Sequence, residues 1–349
     1  DIDSWFDNSN EIDNISKWLP DSMKDKANEF YKGKDTMDVW FDSGSSWKLI
    51  ENYLSEQNLL DQAIERGYLS DTYLEGSDQH RGWFQSSILT KMGTRLESEK
   101  IVLPYKEIIT HGFTLDEKGE KMSKSLGNVI SPTAVINGDK QKKIPALGID
   151  GLRLWVAQSD YSNDVSIGPT VLKHVADNIK KIRFTFKFLL GNLNEKNNDF
   201  NFNRDKIEYN DLKLLDKLIL SKLYKLEKLC LENIKIHNFS TIIRELNHFI
   251  NVELSSIYFD IRKDSLYTDK LNSKLRRSTQ TVFVEIFKTF IKILSPILPI
   301  ITQEAWNHSP TSINQKIESP FMEISKWSHI NGLPLNYLNE EIEVEFNKI

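Results

Sequence analysis

Cysteine is almost absent: one residue, Cys230, in 349. A single thiol excludes an intramolecular disulfide and any zinc site built on clustered cysteines, and its apolar-periodic helical setting assigns it to packing. No uninterrupted apolar run approaches the ~18 residues of a membrane-spanning helix. With 39% hydrophobic and 27% charged residues, the composition is that of a soluble globular protein. Two phosphate-binding signatures are missing as well, the Gly-x-x-x-x-Gly-Lys-Ser/Thr loop and the Gly-x-Gly-x-x-Gly turn, so neither a P-loop enzyme nor a dinucleotide dehydrogenase is supported. No Ser/His/Asp or Cys/His arrangement stands out. The chain opens on Asp1 in acidic, loop-like sequence with neither an initiator Met nor a signal-peptide pattern, and reads as a piece of something longer.

What is present is unevenly distributed. Residues 1–170 carry 19 lysines and arginines against 28 acids, whereas residues 171–349 carry 26 against 22. A basic half beside an acidic half suggests that the carboxyl-terminal portion meets a polyanion, although a solvated helical domain would look much the same. The length suits about two domains, taking ~150 residues for each.

Residues 1–34, with Trp5, Phe6, Trp18, Leu19 and Pro20 among acids and a short helix over 22–31, read as the end of a preceding region. Met37–Phe41 has the look of a short buried strand, followed by the polar break Asp42–Ser46 and a helical pattern through Trp47, Ile50, Tyr53 and Leu54. The same succession recurs with a strand over 71–74, a turn over 75–80 and a helix over 82–92, and a third strand spans 105–112. Three strand-ending turns would then open on one crevice, since ligands of open α/β sheets bind outside the carboxyl ends of the strands. Beyond the lysine-rich stretch Asn137–Pro145 the character changes. Four amphipathic helices are expected: Val171 to Gly191, Leu212 to Ile234, a third capped by Ser240 and running through Ile257, and Ser278 to Leu294, with a shorter one beginning at Thr302. The fold class is therefore α/β followed by all-α, the latter an antiparallel helical bundle.

Two turns can carry chemistry. Lys121-Met122-Ser123-Lys124-Ser125, bracketed by Gly119 and Gly127, sets two compact ammonium groups on a short loop able to follow phosphate oxygens, although a solvated charged turn has the same composition. Glu75, Asp78 and Gln79 can accept hydrogen bonds from ligand hydroxyls, and Gly76 lets a ligand approach the backbone; helix-capping acids are the plainer reading. Trp40 and Trp83 could wall a small apolar pocket or simply fill a core. His111, before Gly112, could touch a phosphate or a base, or be a structural histidine.

These words resemble a known family. Lys-Met-Ser-Lys-Ser is similar to the second signature of class I aminoacyl-tRNA synthetases, and Asp38–Ser46, Leu74–Phe84 and Thr110–Asn128 resemble isoleucyl-tRNA synthetases of the bacterial and organellar type. Gln79-His80-Arg81-Gly82-Trp83 is the discriminating piece, because the valyl and leucyl enzymes differ after the glycine of this turn. Ile182-Arg183 through Leu189–Asn192 resembles the first helix of that family's anticodon-binding domain. The likeness extends over essentially the whole chain.

The resemblance implies the end of an editing-insertion or connective region over 1–34. It further implies the second half of a Rossmann-type catalytic domain with a connecting segment over 35–170, and a helical anticodon-binding domain over 171–349. Glu75, Gly76, Asp78 and Gln79 would hold the aminoacyl-adenylate, and Trp40 and Trp83 would frame the isoleucine side chain. Lys121 and Lys124 would stabilise the triphosphate as pyrophosphate leaves, within an ATP loop of Lys121, Met122, Ser123, Lys124 and Ser125 together with His111 and Gly112. The implied activity joins isoleucine to ATP and then to tRNA(Ile). ATP and Mg²⁺ enter as the substrate complex, the protein holds no metal site of its own, and a monomer is expected.

The family's first signature, His-Ile-Gly-His, its editing domain and the bacterial cysteine zinc module are missing from these residues. The chain alone is therefore expected to be inactive, and a non-catalytic tRNA-binding protein is the alternative. Asn137–Pro145 and Val165–Leu172 look more like mitochondrial forms, so the mitochondrial matrix is the expected location, with a bacterial-type cytoplasm as the alternative. Phe184 stands where relatives commonly carry Asn.

Overall fold

A computed structural model describes residues 5, 11–33, 35–321 and 332–346, the side chains of 11–14 excepted. Phe6 lies outside the described residues. The chain divides into two compact units, Asp1–Thr110 and His111–Ile349.

In the first unit, strand β1 (Tyr68–Gly76) lies beside β2 (Leu103–His111). Leu103 N donates to Gly67 O at 2.9 Å, and Thr72 Oγ1 to Glu107 Oε1 at 2.9 Å, so the two strands advance in step and are parallel. The helix Trp83–Gly93 forms the crossover between them. Gly67, at φ +85°, ends the preceding helix Leu60–Arg66 with a left-handed cap that returns its N–H to Ala63 O. A small core of Trp47, Ala63, Leu69 and Val102 sits against this pair.

Met37–Phe41 is not a strand. Asp38 accepts a hydrogen bond from Trp40 N at 2.8 Å and caps the helix Val39–Gly44, so a local cap overrides the β-preference of Val, Trp and Phe. A second helix, Trp47–Glu56, follows directly. Gly44 allows close packing on the crossover helix, because a Cβ there would fall 2.7 Å from Ser86 Cβ. Two strands with polar ends thus stand where three were expected.

The second unit starts with β3 (Thr114–Leu115), paired parallel to β4 (Val165–Ser166) with Thr114 opposite Val165. Helices Pro132–Asn137 and Gly148–Gln158 lie between them, the first capped by Ser131 Oγ on Ala134 N. The bundle follows. Pro169–Leu193 runs two residues past Gly191, and Leu214–Lys235 matches the expected second helix closely.

The third helix is composite. Asn238 rather than Ser240 caps Phe239–His248; a π-helical turn covers Phe249–Tyr258; an α-helix resumes over Phe259–Thr268. Ser255 and Ser256 donate their hydroxyls to the carbonyls five residues back, Ile250 and Asn251, which suits the wider π pitch. The fourth helix begins at Lys274, capped by Ser273, and the expected shorter one at Pro299, with Thr311–Asn314 and Glu340–Phe346 after it.

Lys274–Leu294 is the axis of the bundle. Val282, Phe283, Val284, Ile286, Phe287, Phe290, Ile291, Ile293 and Leu294 are all buried, so this stretch is enclosed by other helices except along a partly exposed stripe of Glu285, Lys288 and Lys292. Phe283 meets Phe259 edge-on at 5.4 Å and Phe287 stacks parallel to Trp306 at 6.4 Å. Among the described residues no helix is long and apolar enough to cross a membrane.

Candidate functional site

In the first unit, β1 ends in Glu75-Gly76, a 3-10 turn covers Ser77–Arg81, and Gly82 opens the crossover helix. Gly82 brings no capping side chain, so Gln79 supplies one: its Oε1 accepts from Trp83 N at 3.0 Å. Trp40 lies directly against Gly82, since a Cβ there would come within 2.6 Å of Gln79 Oε1 and 2.8 Å of the indole. Trp40 is 45% exposed and offers a free apolar face. Trp83 is used differently: it stacks on Tyr73 at 4.1 Å and 7°, and its Nε1 donates to Ser46 Oγ at 3.2 Å.

Glu75 and Asp78 are exposed, and Glu75 Oε1 accepts from Gly76 N at 3.1 Å. The shelf beyond β1 thus combines two solvent-facing carboxylates, a primary amide and an indole. That set suits a ligand with hydroxyls at one end and an aliphatic group at the other.

In the second unit, the lysine loop is built on a tight hairpin. Asp116 Oδ1 accepts from Lys118 N and Glu120 N, both at 2.9 Å, and Gly119, at φ +78°, makes the turn. Asn128 ties this hairpin to the signature. Its Oδ1 accepts from Ser123 N at 2.9 Å, while its Nδ2 donates to Asp116 Oδ2 at 3.0 Å and to Lys121 O at 3.3 Å. This amide, before any other cause, holds the Asp116 carboxyl below the usual carboxylate range.

Ser123 Oγ lies 3.1 Å from Ser125 Oγ and accepts from Leu126 N, and Met122 packs on the helical core. The backbone is therefore pinned while Lys121 and Lys124 extend into solvent. At the loop's origin, Gly112 N donates to Tyr161 O at 2.9 Å, Phe113 N donates to Asp164 Oδ1 at 2.7 Å, and a Cβ at Gly112 would fall 2.5 Å from Asp164 N. His111 Nδ1 lies 2.8 Å from Gly112 O.

The structure brings Trp40, Gln79, Gly82 and Trp83 together in the first unit; in the second, Lys121–Ser125 are tied to Asp116 through Asn128, while Gly112 packs against the segment Tyr161–Asp164. Sequence reasoning missed Asp116, Asn128, Ser46 and Tyr73. Of these, Asp116 alone left a local signal, an Asp three residues before a glycine.

A further concavity of about 440 Å³ lies in the bundle, lined by Arg183, Phe184, Lys187, Ile301, Glu304 and His308. Phe184 is 65% exposed, and Arg183 forks onto Glu304 at 2.7 and 2.9 Å. Among the described residues no group of His, Cys, Asp and Glu is arranged to hold a metal ion.

Residues 2–168 match the profile of "tRNA synthetases class I (I, L, M and V)" and residues 216–347 that of "Anticodon-binding domain of tRNA ligase". With a signature loop on a parallel-strand scaffold and an all-helical second part, the chain belongs to the class I tRNA synthetases.

Among its similar sequences are proteins named isoleucine–tRNA ligases. The mitochondrial isoleucine–tRNA ligase of Saccharomyces cerevisiae is 47% identical over 88% of this chain and 30% of its own length. A probable mitochondrial one from Dictyostelium discoideum is 42% identical over 99% and 32%, and the Crocosphaera subtropica enzyme 40% identical over 98% and 34%. The chain thus spans about a third of these relatives. Two solved structures share the fold. An Agrobacterium radiobacter LeuRS in ternary complex with tRNA and LeuAMS has a TM-score of 0.61 at 17% identity over 88% of this chain and 34% of that one. Mycobacterium tuberculosis methionyl-tRNA synthetase with methionyl-adenylate has 0.57 at 18% identity over 79% and 51%.

Proposed function

We propose that the chain is the carboxyl-terminal part of an isoleucine–tRNA ligase, which activates isoleucine with ATP and passes it from the adenylate to tRNA(Ile). The observation that carries this reading is the lysine loop, in which a pinned backbone presents two exposed ammonium groups, on a chain whose relatives are isoleucine–tRNA ligases. Lys121 and Lys124 would meet the charge that develops on the leaving phosphates, and Mg²⁺ would arrive with ATP as its substrate complex. Glu75, Gly76, Asp78 and Gln79 would hold the adenylate, with Trp40 packing on the isoleucine side chain and Trp83 bracing the turn through Tyr73. Catalysis of this kind needs positioning and charge stabilisation but no protein nucleophile.

The helical groove would take part in holding tRNA. Phe184 offers a face for an unstacked base, with Arg183, Lys187 and His308 around it for phosphate or base edges. The similarity to mitochondrial ligases and the resemblance of residues 137–145 favour the mitochondrial matrix as the location.

The test is Lys124→Ala in the intact ligase, read by isoleucine-dependent ATP–pyrophosphate exchange. The rate of activation should fall by at least about 10²-fold while the KM for isoleucine changes little, because the lost charge acts on the transition state. An equal loss in both would remove Lys124 from that role, and an intact protein without isoleucine-dependent exchange would overturn the reading as a whole.

A further inference from the structure

The 25-residue helix Pro169–Leu193 begins without a cap of its own. Its N-cap is Gly168, which has no side chain, and four amide groups at such an end lack intrahelical partners. The missing acceptor comes from 53 residues upstream: Glu117 Oε1 accepts from Thr170 N at 2.5 Å. Gly168 is what lets it in, for a Cβ there would fall inside the van der Waals envelope of Glu117 Cγ. Glu117 is also the residue after Asp116, on the hairpin whose carboxylate and amide bonds run through Asn128 to Ser123, between the two lysines.

We infer that Glu117 is a positioning residue for the phosphate-binding lysines: by capping the long helix, it fixes the hairpin on which Lys121 and Lys124 are carried. The inference rests on the functional reading above but adds a residue outside the signature. The carboxylate is suited to the place twice over, as a hydrogen-bond acceptor and as a negative charge at the positive end of a helix. With the carboxylate gone, the hairpin is still rooted in the pairing of β3 with β4 but loses its hold beyond Leu115, so its internal bonds open more often. The ammonium groups then sample positions of which only some match the phosphates.

Glu117→Ala and Glu117→Gln are to be made in the intact ligase and in this chain. In the ligase, Glu117→Ala should lower kcat of isoleucine-dependent pyrophosphate exchange about tenfold with the isoleucine KM unchanged, since loss of alignment costs rate before it costs binding of the remote substrate. Glu117→Gln keeps a carbonyl acceptor for Thr170 N and should stay within about twofold of the unaltered enzyme. In the isolated chain, hydrogen exchange at the amides of Lys118, Glu120 and Ser123 should quicken in the Ala variant and not in the Gln variant.

Three results would overturn the inference: an unchanged kcat in Glu117→Ala, even with a lower melting temperature; a Gln variant no better than Ala; or unaltered exchange at the three amides. If the unsubstituted ligase lacks exchange activity, the functional reading fails instead, and the amide measurement still decides whether Glu117 holds the hairpin.

Discussion

Asn128 shapes the lysine loop more than either lysine does, bonding at once to Asp116, Lys121 and Ser123. No periodicity or spacing marks it, because its partners lie 5 to 12 residues away across a turn whose course the sequence does not spell out. Lys121 and Lys124 were legible for the opposite reason: their use depends on charge and exposure, which residue type alone conveys. Cys230 was equally readable. It is buried, and burial first, with Glu227 and Glu245 adding to it, pushes its thiol up to about 12. At pH 8 its alkylation by iodoacetamide should run on the order of a thousandfold slower in the folded chain than in urea, as thiolate fraction dictates. The pH dependence follows in sign: the raised value adds stability below about 8.5, and that contribution drains away as pH climbs from there toward the folded value. Rapid alkylation of the folded chain at pH 8 would contradict this environment.

Helices were legible wherever apolar spacing was long, as in Leu214–Lys235, and misread where a few residues decided the matter. Asp38 turned a run of β-formers into a helix, and Ser255 and Ser256 widened a helix that spacing alone would have continued unbroken. Buried polar residues on the bundle's helices were invisible for a related reason, since they read as ordinary surface. Asp216 is fully buried and receives Tyr258 OH at 2.7 Å, Arg262 Nη2 at 2.8 Å and Ser278 Oγ at 2.6 Å, linking three stretches of the bundle to the helix Leu214–Lys235. Asp216→Ala would strand the Arg262 guanidinium in the core and should cost about 3–5 kcal/mol in urea unfolding. A loss below about 1 kcal/mol would mean that water or a rearranged partner satisfies Arg262.

At the scale of the molecule, the order of parts was readable, α/β and then all-α, because hydrophobic period and charge balance both change along the chain. The number of strands was not, since one short apolar run can serve as helix or strand. The chain on its own, lacking the first signature, should show no isoleucine-dependent pyrophosphate exchange while still retaining tRNA in a filter-binding assay, with affinity falling steeply as salt rises. Robust exchange by the isolated chain would refute this.

One pair of contacts bears on any attempt to exchange the bundle between relatives. Asp150 accepts from Ile301 N at 2.7 Å and so caps the helix Pro299–Asn307, and Arg153 closes on the carbonyls of Pro296 and Ile297 at 2.6 and 2.8 Å. An acid and a base one helical turn apart thus read the backbone polarity of a corner some 150 residues later. Backbone groups are common to every sequence, so a grafted bundle that preserves this corner's path keeps these contacts, provided its side chains still fill the core around Leu154 and Trp155. A graft that shifts the corner by a single residue would be rejected.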